Sequence, residues 1–276
     1  LMILLNGATS KKQSALFGFL FGFGMGAVSL AWVSNALMID NGSFAVFIVP
    51  ALAGLGLFMG LFFLFPAWLA SFADAGVKRW VAFACWFVLF EWIRSWFLTG
   101  FPWNLIGSVW TDLPLVLQFA SVMGVYGLSL ITVLLLTAPA LLPQYKPLGI
   151  MMLVWGMVLF GGWLRLYQAV PEDVFGVQLR LVQPNIAQTL KWNPQRADEN
   201  LSTLIRLSRE NNSHITHVIW PESAVPFLLE LNESERLRLM GAVRQNATLI
   251  TGAMRVVNAE KRQLANSIFI IDDMAN

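Results

Sequence analysis

The first 170 positions are almost continuously apolar, and their charged residues are confined to short breaks. A helix of roughly 20 apolar residues crosses the hydrocarbon core of a bilayer, and five runs come close to this length. The five runs are residues 14–33, 44–65, 80–98, 122–142 and 148–166. The pattern predicts a transmembrane domain of about five helices over residues 1–170, with Pro66, Pro143 and Pro147 near helix ends.

Glycines recur in the first two runs and allow two interpretations. They lie at Gly18, Gly22, Gly24, Gly26, Gly54, Gly56 and Gly60. Small residues let two helices approach closely in lipid. Glycine is also simply frequent in membrane helices, so the sequence leaves both interpretations open.

The basic residues of the short loops predict an orientation. Lys11 and Lys12 precede the first run, Lys78 and Arg79 the third, and Lys146 the fifth. The loops near positions 40 and 112 contain neither Lys nor Arg. Because loops rich in these residues stay in the cytoplasm, the chain after an odd number of spans is expected on the opposite face, which is periplasmic in a bacterium.

Polar positions become frequent only after residue 170. Of the 18 basic and 16 acidic side chains, 11 lie in residues 1–170 and 23 in residues 171–276. The low overall charge and 57% hydrophobic content exclude a disordered chain, a coiled coil and a basic nucleic-acid binder, so no nucleic-acid partner is expected.

The second part has the patterns of an α/β domain. Alternating apolar residues from Val177 to Gln183 predict a strand, and an amphipathic stretch ending near Glu210 predicts a helix. Further strands are predicted at 217–220, 248–252 and 266–271, and a second helix at 233–245. About 100 residues form only the first part of such a domain, so residues 171–276 are expected to be incomplete.

Glu222 is the first candidate for chemistry. It follows an apolar strand, and ligands of open α/β sheets bind at the carboxyl ends of strands. The carboxylate lies between Pro221 and Ser223 and is expected to be partly desolvated beside Trp220. Such a carboxylate is suited to act as a general base. A solvent-exposed loop carboxylate is the alternative.

Two charged residues of the third run form a second candidate. Glu91 and Arg94 lie three apart on one helix face, and the hypothesis is a structural ion pair that fixes this helix against a neighbour. The aromatic turn that follows, which contains Trp103, is either an interfacial aromatic belt or a lip where lipid enters a site.

Other residues do not form recognisable sites. Cys85 lies in the middle of a run, where a thiol is expected to be buried and inert. His214 and His217 are expected on opposite faces of a strand-like stretch, and too few further ligands accompany them, so no metal site is expected.

Four stretches together resemble the apolipoprotein N-acyltransferase family, in the family's order. They are residues 91–103, 181–192, 218–226 and 249–252. The third contains Trp-Pro-Glu-Ser at positions 220–223, and the second contains Leu-Lys-Trp ending at Trp192. The resemblance implies a bacterial inner-membrane enzyme, multi-pass, whose periplasmic domain has the nitrilase-like α-β-β-α fold.

The resemblance also implies a mechanism. Family members use a Glu-Lys-Cys triad to move an acyl chain from a phospholipid donor, through a thioester, to the N-terminal amine of a diacylated lipoprotein. Glu222 matches the glutamate, which acts as general base, and Trp192 matches a tryptophan that lines the lipid entrance, with Trp103 as a further substrate-binding candidate. The chemistry requires no cofactor. The lysine and cysteine have no match, so the chain is interpreted as an internal fragment that is inactive alone.

Two other functions remain open from the sequence. A membrane-anchored nitrilase-type amidase would share the carboxylate but hydrolyse a C–N bond. A degenerate copy without the lysine and cysteine would bind lipoproteins or another chain without catalysis.

Overall fold

A computed structural model describes residues 1–38, 42–169, 173–191, 193–211, 213–258 and 263–272. The chain divides into two compact units, Leu1–Val170 and Pro171–Asn276. Each has its own hydrophobic core among the described residues.

Helices make up most of the first unit. They are α1 (Met2–Gly7), α2 (Lys11–Ser29), α3 (Ile48–Ala70), α4 (Val77–Arg94), α5 (Pro114–Leu117), α6 (Ala120–Thr137) and α7 (Tyr145–Gln168). The side chain of Ser10 accepts from the backbone N–H of Gln13 and so caps the start of α2. Helix α3 continues through the buried Pro66 to Ala70, beyond the end that the proline indicated, because neighbouring helices can satisfy the backbone that a proline leaves unpaired.

Three helical segments of the described residues have the length and apolar composition of a membrane span. They are Ala45–Ala70, Ala120–Leu141 and Tyr145–Gln168. Helix α2 and the 3-10 segment Ala31–Met38 would together give a fourth, bent by 42°. Helix α4 lies at the third predicted run but carries four charged residues, and the number of five spans stays a prediction.

Helices α2 and α3 pack through the glycines of the first run. Gly18, Gly22 and Gly26 are buried at four-residue intervals, on one face of α2. A Cβ on Gly22 would lie 2.6 Å from the Cβ of Phe63, and one on Gly26 would lie 2.6 Å from the Cβ of Met59. A Cβ on Gly24 would meet nothing within 4 Å. Close packing therefore explains the repeat of four, and Gly24 lies outside it.

The second unit contains a four-stranded mixed sheet. Its strands are β1 (Leu179–Leu181), β2 (His217–Ile219), β3 (Thr248–Asn258) and β4 (Gln263–Ile271), and its helices are α8 (Gln188–Lys191), α9 (Ala197–Arg209) and α10 (Glu233–Leu239). The strand order is β1-β2-β3-β4, with β1, β2 and β3 parallel and β4 antiparallel to β3. This agrees with a membrane domain followed by part of an α/β domain.

Several elements of the second unit differ in length from the sequence prediction. Strand β1 covers only Leu179–Leu181, whereas the alternation predicted a strand from Val177 to Gln183. Helix α10 ends at Leu239, because Met240–Ala242 tightens into a 3-10 turn and Val243 is extended, so the helix predicted to residue 245 is shorter. Strands β3 and β4 are longer than predicted, because they pair with each other along most of their length, which a local pattern does not reveal.

The sheet has two unlike faces. Leu201 and Leu204 of α9 are buried in the core with Val218 of β2 and Leu249 of β3. The residues that alternate with this core are exposed on the other face, where Ile268 of β4 retains 77% of its accessible surface. Leu179, Leu181 and Ile270 are exposed in the same alternation. One face of the sheet is therefore apolar and uncovered among the described residues.

Candidate functional site

Glu222 lies directly beyond the end of β2, at the carboxyl edge of the parallel strands. Trp220 positions this turn, because its backbone N–H donates to the carbonyl of Ile250 at 2.9 Å. The buried indole donates through Nε1 to Oγ of Ser208 at 2.8 Å. Trp220, which directly follows β2, is thus anchored through both its backbone and its side chain, two residues before Glu222.

Gly252 of β3 allows the Glu222 turn to lie against the sheet. A Cβ at this position would be 2.9 Å from Cα of Glu222 and 2.9 Å from the backbone N of Ser223. The carbonyl of Gly252 accepts from the N–H of Ala224 at 3.1 Å. Ser223 has a φ of +50°, a strained value for a residue with a side chain. The close approach depends on the missing side chain of Gly252.

The carboxylate of Glu222 has a defined partner. Nδ2 of Asn266 on β4 donates to Oε1 of Glu222. Nζ of Lys191 donates to the backbone carbonyl of Glu222 at 2.9 Å. Oε1 is therefore oriented by an amide.

The carboxylate of Glu222 is exposed, in contrast to the partial desolvation that its sequence neighbours indicated. The indole of Trp220 packs inward onto Ser208 and does not cover it.

Two cavities flank the Glu222 turn. One of about 380 Å³ lies over the apolar face and is lined by Ile219, Ile250 and Ile268 together with Glu222 and Asn266. The other, of about 140 Å³, brings together two stretches identified in the sequence, because Pro184 and Asn185 lie there with Pro221 and Ser223. The turn therefore lies between an apolar cavity and a smaller polar one.

Glu222 was predicted from the sequence, but two residues that position it were not. They are Asn266, which donates to its carboxylate, and Gly252, against which its turn lies. Asn266 lies in the predicted fourth strand, where a polar residue among alternating apolar ones was the available signal. Trp192, the predicted lipid-entrance residue, lies outside the described residues.

Glu91 and Arg94 form the second cluster, within the first unit. Both side chains are 3% exposed, and Nη2 of Arg94 lies 4.0 Å from Oε1 of Glu91. Nη1 of Arg94 donates to the carbonyls of Phe101 at 3.1 Å and Trp103 at 2.5 Å. Oε1 of Glu91 accepts from the N–H of Ile106 at 2.7 Å. The two charges therefore hold the loop that follows α4, and the hypothesis that they also fix this helix against a neighbouring one stays a prediction.

Trp103 is one of the exposed aromatic residues of this loop. Its ring stacks on Trp32 with a centroid distance of 4.8 Å and an interplanar angle of 24°. The ring of Phe101 lies 5.7 Å away. The loop therefore presents an aromatic surface on a backbone that a buried arginine fixes.

The remaining candidates are separate from these clusters. Cys85 is exposed, so the expectation of a buried thiol is wrong. It lies on α4 but off the buried stripe, which contains Trp80, Ala84 and Phe87. His217 is in β2 and His214 in the preceding turn. Across the described part of the chain, no three His, Cys, Asp or Glu residues are placed to hold a metal ion.

Comparison with known proteins gives consistent matches. The model of the apolipoprotein N-acyltransferase N-terminal domain matches residues 1–138. The apolipoprotein N-acyltransferase of Brucella melitensis is 33% identical over 296 residues, which cover 99% of this chain and 56% of the relative. That of Rhizobium leguminosarum is 34% identical over 300 residues, with coverages of 99% and 56%. That of Rickettsia bellii is 34% identical over 263 residues, with coverages of 92% and 52%.

The matches cover both units, although this chain spans only about half the length of these curated relatives. The family model covers half of the chain, and it includes α4 and the loop that presents Trp103. The chain therefore belongs to the apolipoprotein N-acyltransferase family.

Proposed function

We propose that the full-length protein transfers an acyl chain from a phospholipid to the N-terminal amine of a diacylated lipoprotein, with Glu222 as general base. The observation that carries this proposal is the Glu222 carboxylate, oriented by Asn266 beside an apolar cavity at the carboxyl edge of the parallel strands. The names of the relatives support acylation of lipoproteins in general.

The proposed reaction has two steps. Glu222 accepts the proton of the triad cysteine, whose thiolate attacks the ester carbonyl of the phospholipid. The protonated Glu222 returns this proton to the leaving oxygen, so the lysophospholipid departs and the carboxylate is restored. The α-amine of the lipoprotein then attacks the thioester and loses its proton to the Glu222 carboxylate, which passes it to the departing sulfur and so regenerates the thiol. The triad lysine stabilises the oxyanion. Only Glu222 matches the triad in this chain, so the chain alone is expected to be inactive.

The exposed apolar sheet face supports the nitrilase-like α-β-β-α arrangement. A sheet face made of isoleucines and leucines is stabilised when a second layer packs on it and removes it from water. We propose that the full-length protein supplies this second layer, which would also enclose the cavity beside Glu222.

Two tryptophans are proposed to contact the lipid substrate. Trp103 and Trp192 are proposed to line the path of the acyl chain, and Glu91 with Arg94 is proposed as the structural pair that positions the Trp103 loop. The location proposed is the bacterial inner membrane, with the second unit periplasmic. Labelling of engineered cysteines in the second unit by a membrane-impermeant reagent in intact spheroplasts tests this orientation, and protection until lysis contradicts it.

The acyl transfer is tested with full-length protein in detergent, a fluorescent phosphatidylethanolamine and a diacylated lipopeptide. Glu222→Gln is expected to lower the transfer rate by about 10²–10⁴-fold, because the amide cannot accept the proton. Glu233→Gln, which changes an exposed carboxylate at the start of α10, is the matched control. Full activity of Glu222→Gln would refute the assignment, and hydrolysis of a simple amide without transfer would favour the amidase.

A further inference from the structure

A groove runs along the last turns of α7 in the first unit. It lies between α7 and the segment that joins α5 to α6, and its volume is about 580 Å³. This size is within the range of ~300–1,000 Å³ that is typical of small-molecule sites. Val158 and Gly162 are buried within it, and Phe119, Val122 and Met157 add apolar surface.

One end of the groove is polar. Arg165 lies in the last turn of α7, and its Nε donates to Oε1 of Gln118 at 3.1 Å. Gln168 lies beside them. Among the described residues that line the groove, Arg165 carries the only formal charge, and no carboxylate opposes it.

The dimensions of the groove match one leaflet of a bilayer. Met157 and Gln168 are separated by about 16 Å along the helix axis at ~1.5 Å per residue. Half of the ~30 Å hydrocarbon core is about 15 Å. An arginine near the end of a spanning helix reaches the level of the lipid headgroups. The distance from the polar end of the groove to its apolar end therefore matches the distance from a lipid phosphate to the end of its acyl chain.

We propose that this groove binds one anionic glycerophospholipid, with its phosphate on the Arg165 guanidinium and an acyl chain along Val158 and Met157. An anionic headgroup is favoured over a zwitterionic one because the lining offers a cation and no carboxylate for an ammonium group. The residues that line this groove all belong to the first unit, and the proposal does not depend on acyl transfer.

Gly161 provides a direct way to fill the groove. A Cβ at this position would meet no atom within 4 Å, so the position is open to a side chain that would occupy the groove. Gly156 of the same helix is equally open but does not line the groove, which makes it the matched control. Lys146, exposed near the start of α7, is the matched control for the charge of Arg165.

The test uses full-length protein with a photoreactive phenylalanine at Met157 or at Leu153, in nanodiscs of phosphatidylethanolamine with phosphatidylglycerol as the minor lipid. Leu153 is exposed on α7 outside the groove and reports bulk lipid. Adducts at Met157 are expected to be about fivefold enriched in phosphatidylglycerol over those at Leu153, as one basic residue predicts.

Arg165→Gln is expected to abolish this enrichment, whereas Lys146→Gln keeps it. Gly161→Leu is expected to reduce lipid adducts at Met157 several-fold, whereas Gly156→Leu does not. Equal lipid composition at Met157 and Leu153, enrichment that survives Arg165→Gln, or adducts to another protein segment would each overturn the proposal. Loss of the enrichment with intact acyl transfer would leave the Glu222 assignment standing.

Discussion

Nη1 of Arg94 donates to the carbonyl of Trp103 at 2.5 Å, so a buried cation on α4 fixes the backbone of an exposed aromatic residue. The same guanidinium is paired with Glu91. Arg94→Met removes the hydrogen bonds to the loop and leaves the Glu91 carboxylate buried without its cation. Loss of one partner of a buried pair costs about 3–5 kcal/mol, so the midpoint of thermal unfolding in detergent is expected to fall.

A double variant separates the loss of stability caused by Arg94→Met from the loss of the hydrogen bonds that anchor the Trp103 loop. Glu91→Gln combined with Arg94→Met removes the uncompensated charge but keeps an acceptor for the N–H of Ile106. It is expected to recover most of the stability. The KM for phospholipid, which Arg94→Met is expected to raise, stays raised in the double variant because Trp103 is no longer anchored. A double variant with normal KM would contradict a positioning role for Arg94.

The glycine repeat of α2 predicts a position-specific effect on stability. Gly22→Leu places side-chain atoms where Phe63 of α3 lies, and such overpacking costs about 1–3 kcal/mol. Gly24→Leu introduces the same side chain two residues away, on an open surface, and is expected to leave the unfolding midpoint unchanged. Equal destabilisation by both variants would argue against the packing interpretation.

The sequence predicted the apolar runs but not which side of each helix faces the interior. Helix α4 is apolar around most of its circumference, so the position of Cys85 in the run indicates depth in the membrane and not direction. Its exposure follows from the buried stripe through Ala84 and Phe87, which only the packing of the helices defines.

In the second unit, the sequence allowed prediction of the individual strands and of the residue at a strand end, but not of how the strands pair. The short apolar strand and Trp-Pro-Glu-Ser located Glu222 at a strand end, because that signal is local. The contact with Asn266 was not predictable, since it depends on β4 pairing antiparallel to β3, with Ser267 opposite Ala253. Long-range register decides which polar residue lies beside the carboxylate.

The exposed sheet face predicts a strong effect of a charge in the full-length protein. Ile268→Lys is expected to destabilise it by about 3–5 kcal/mol, the cost of an unpaired charge buried under a second layer. Leu237→Lys, on the exposed side of α10, is the control and is expected to be nearly neutral. Denaturant unfolding measures both, and equal stability of the two variants would contradict a covering layer.

Asn266 provides the sharpest test of how Glu222 is oriented. Asn266→Asp keeps the size of the side chain but removes the Nδ2 donor and places a second carboxylate beside Oε1 of Glu222. Asn266→Gln retains the amide on a longer side chain. Because a general base must point at its proton, the aspartate variant is expected to lower kcat by at least about tenfold, and the glutamine variant less.

Steady-state transfer from a fluorescent phospholipid to a lipopeptide, with both at saturating concentration, measures kcat, and phospholipid binding is measured in parallel. Unchanged binding with reduced kcat is the expected signature, because Asn266 acts through Glu222. Equal losses of binding and kcat in both variants would instead indicate that β4 has shifted, and Asn266 would then have only a structural role.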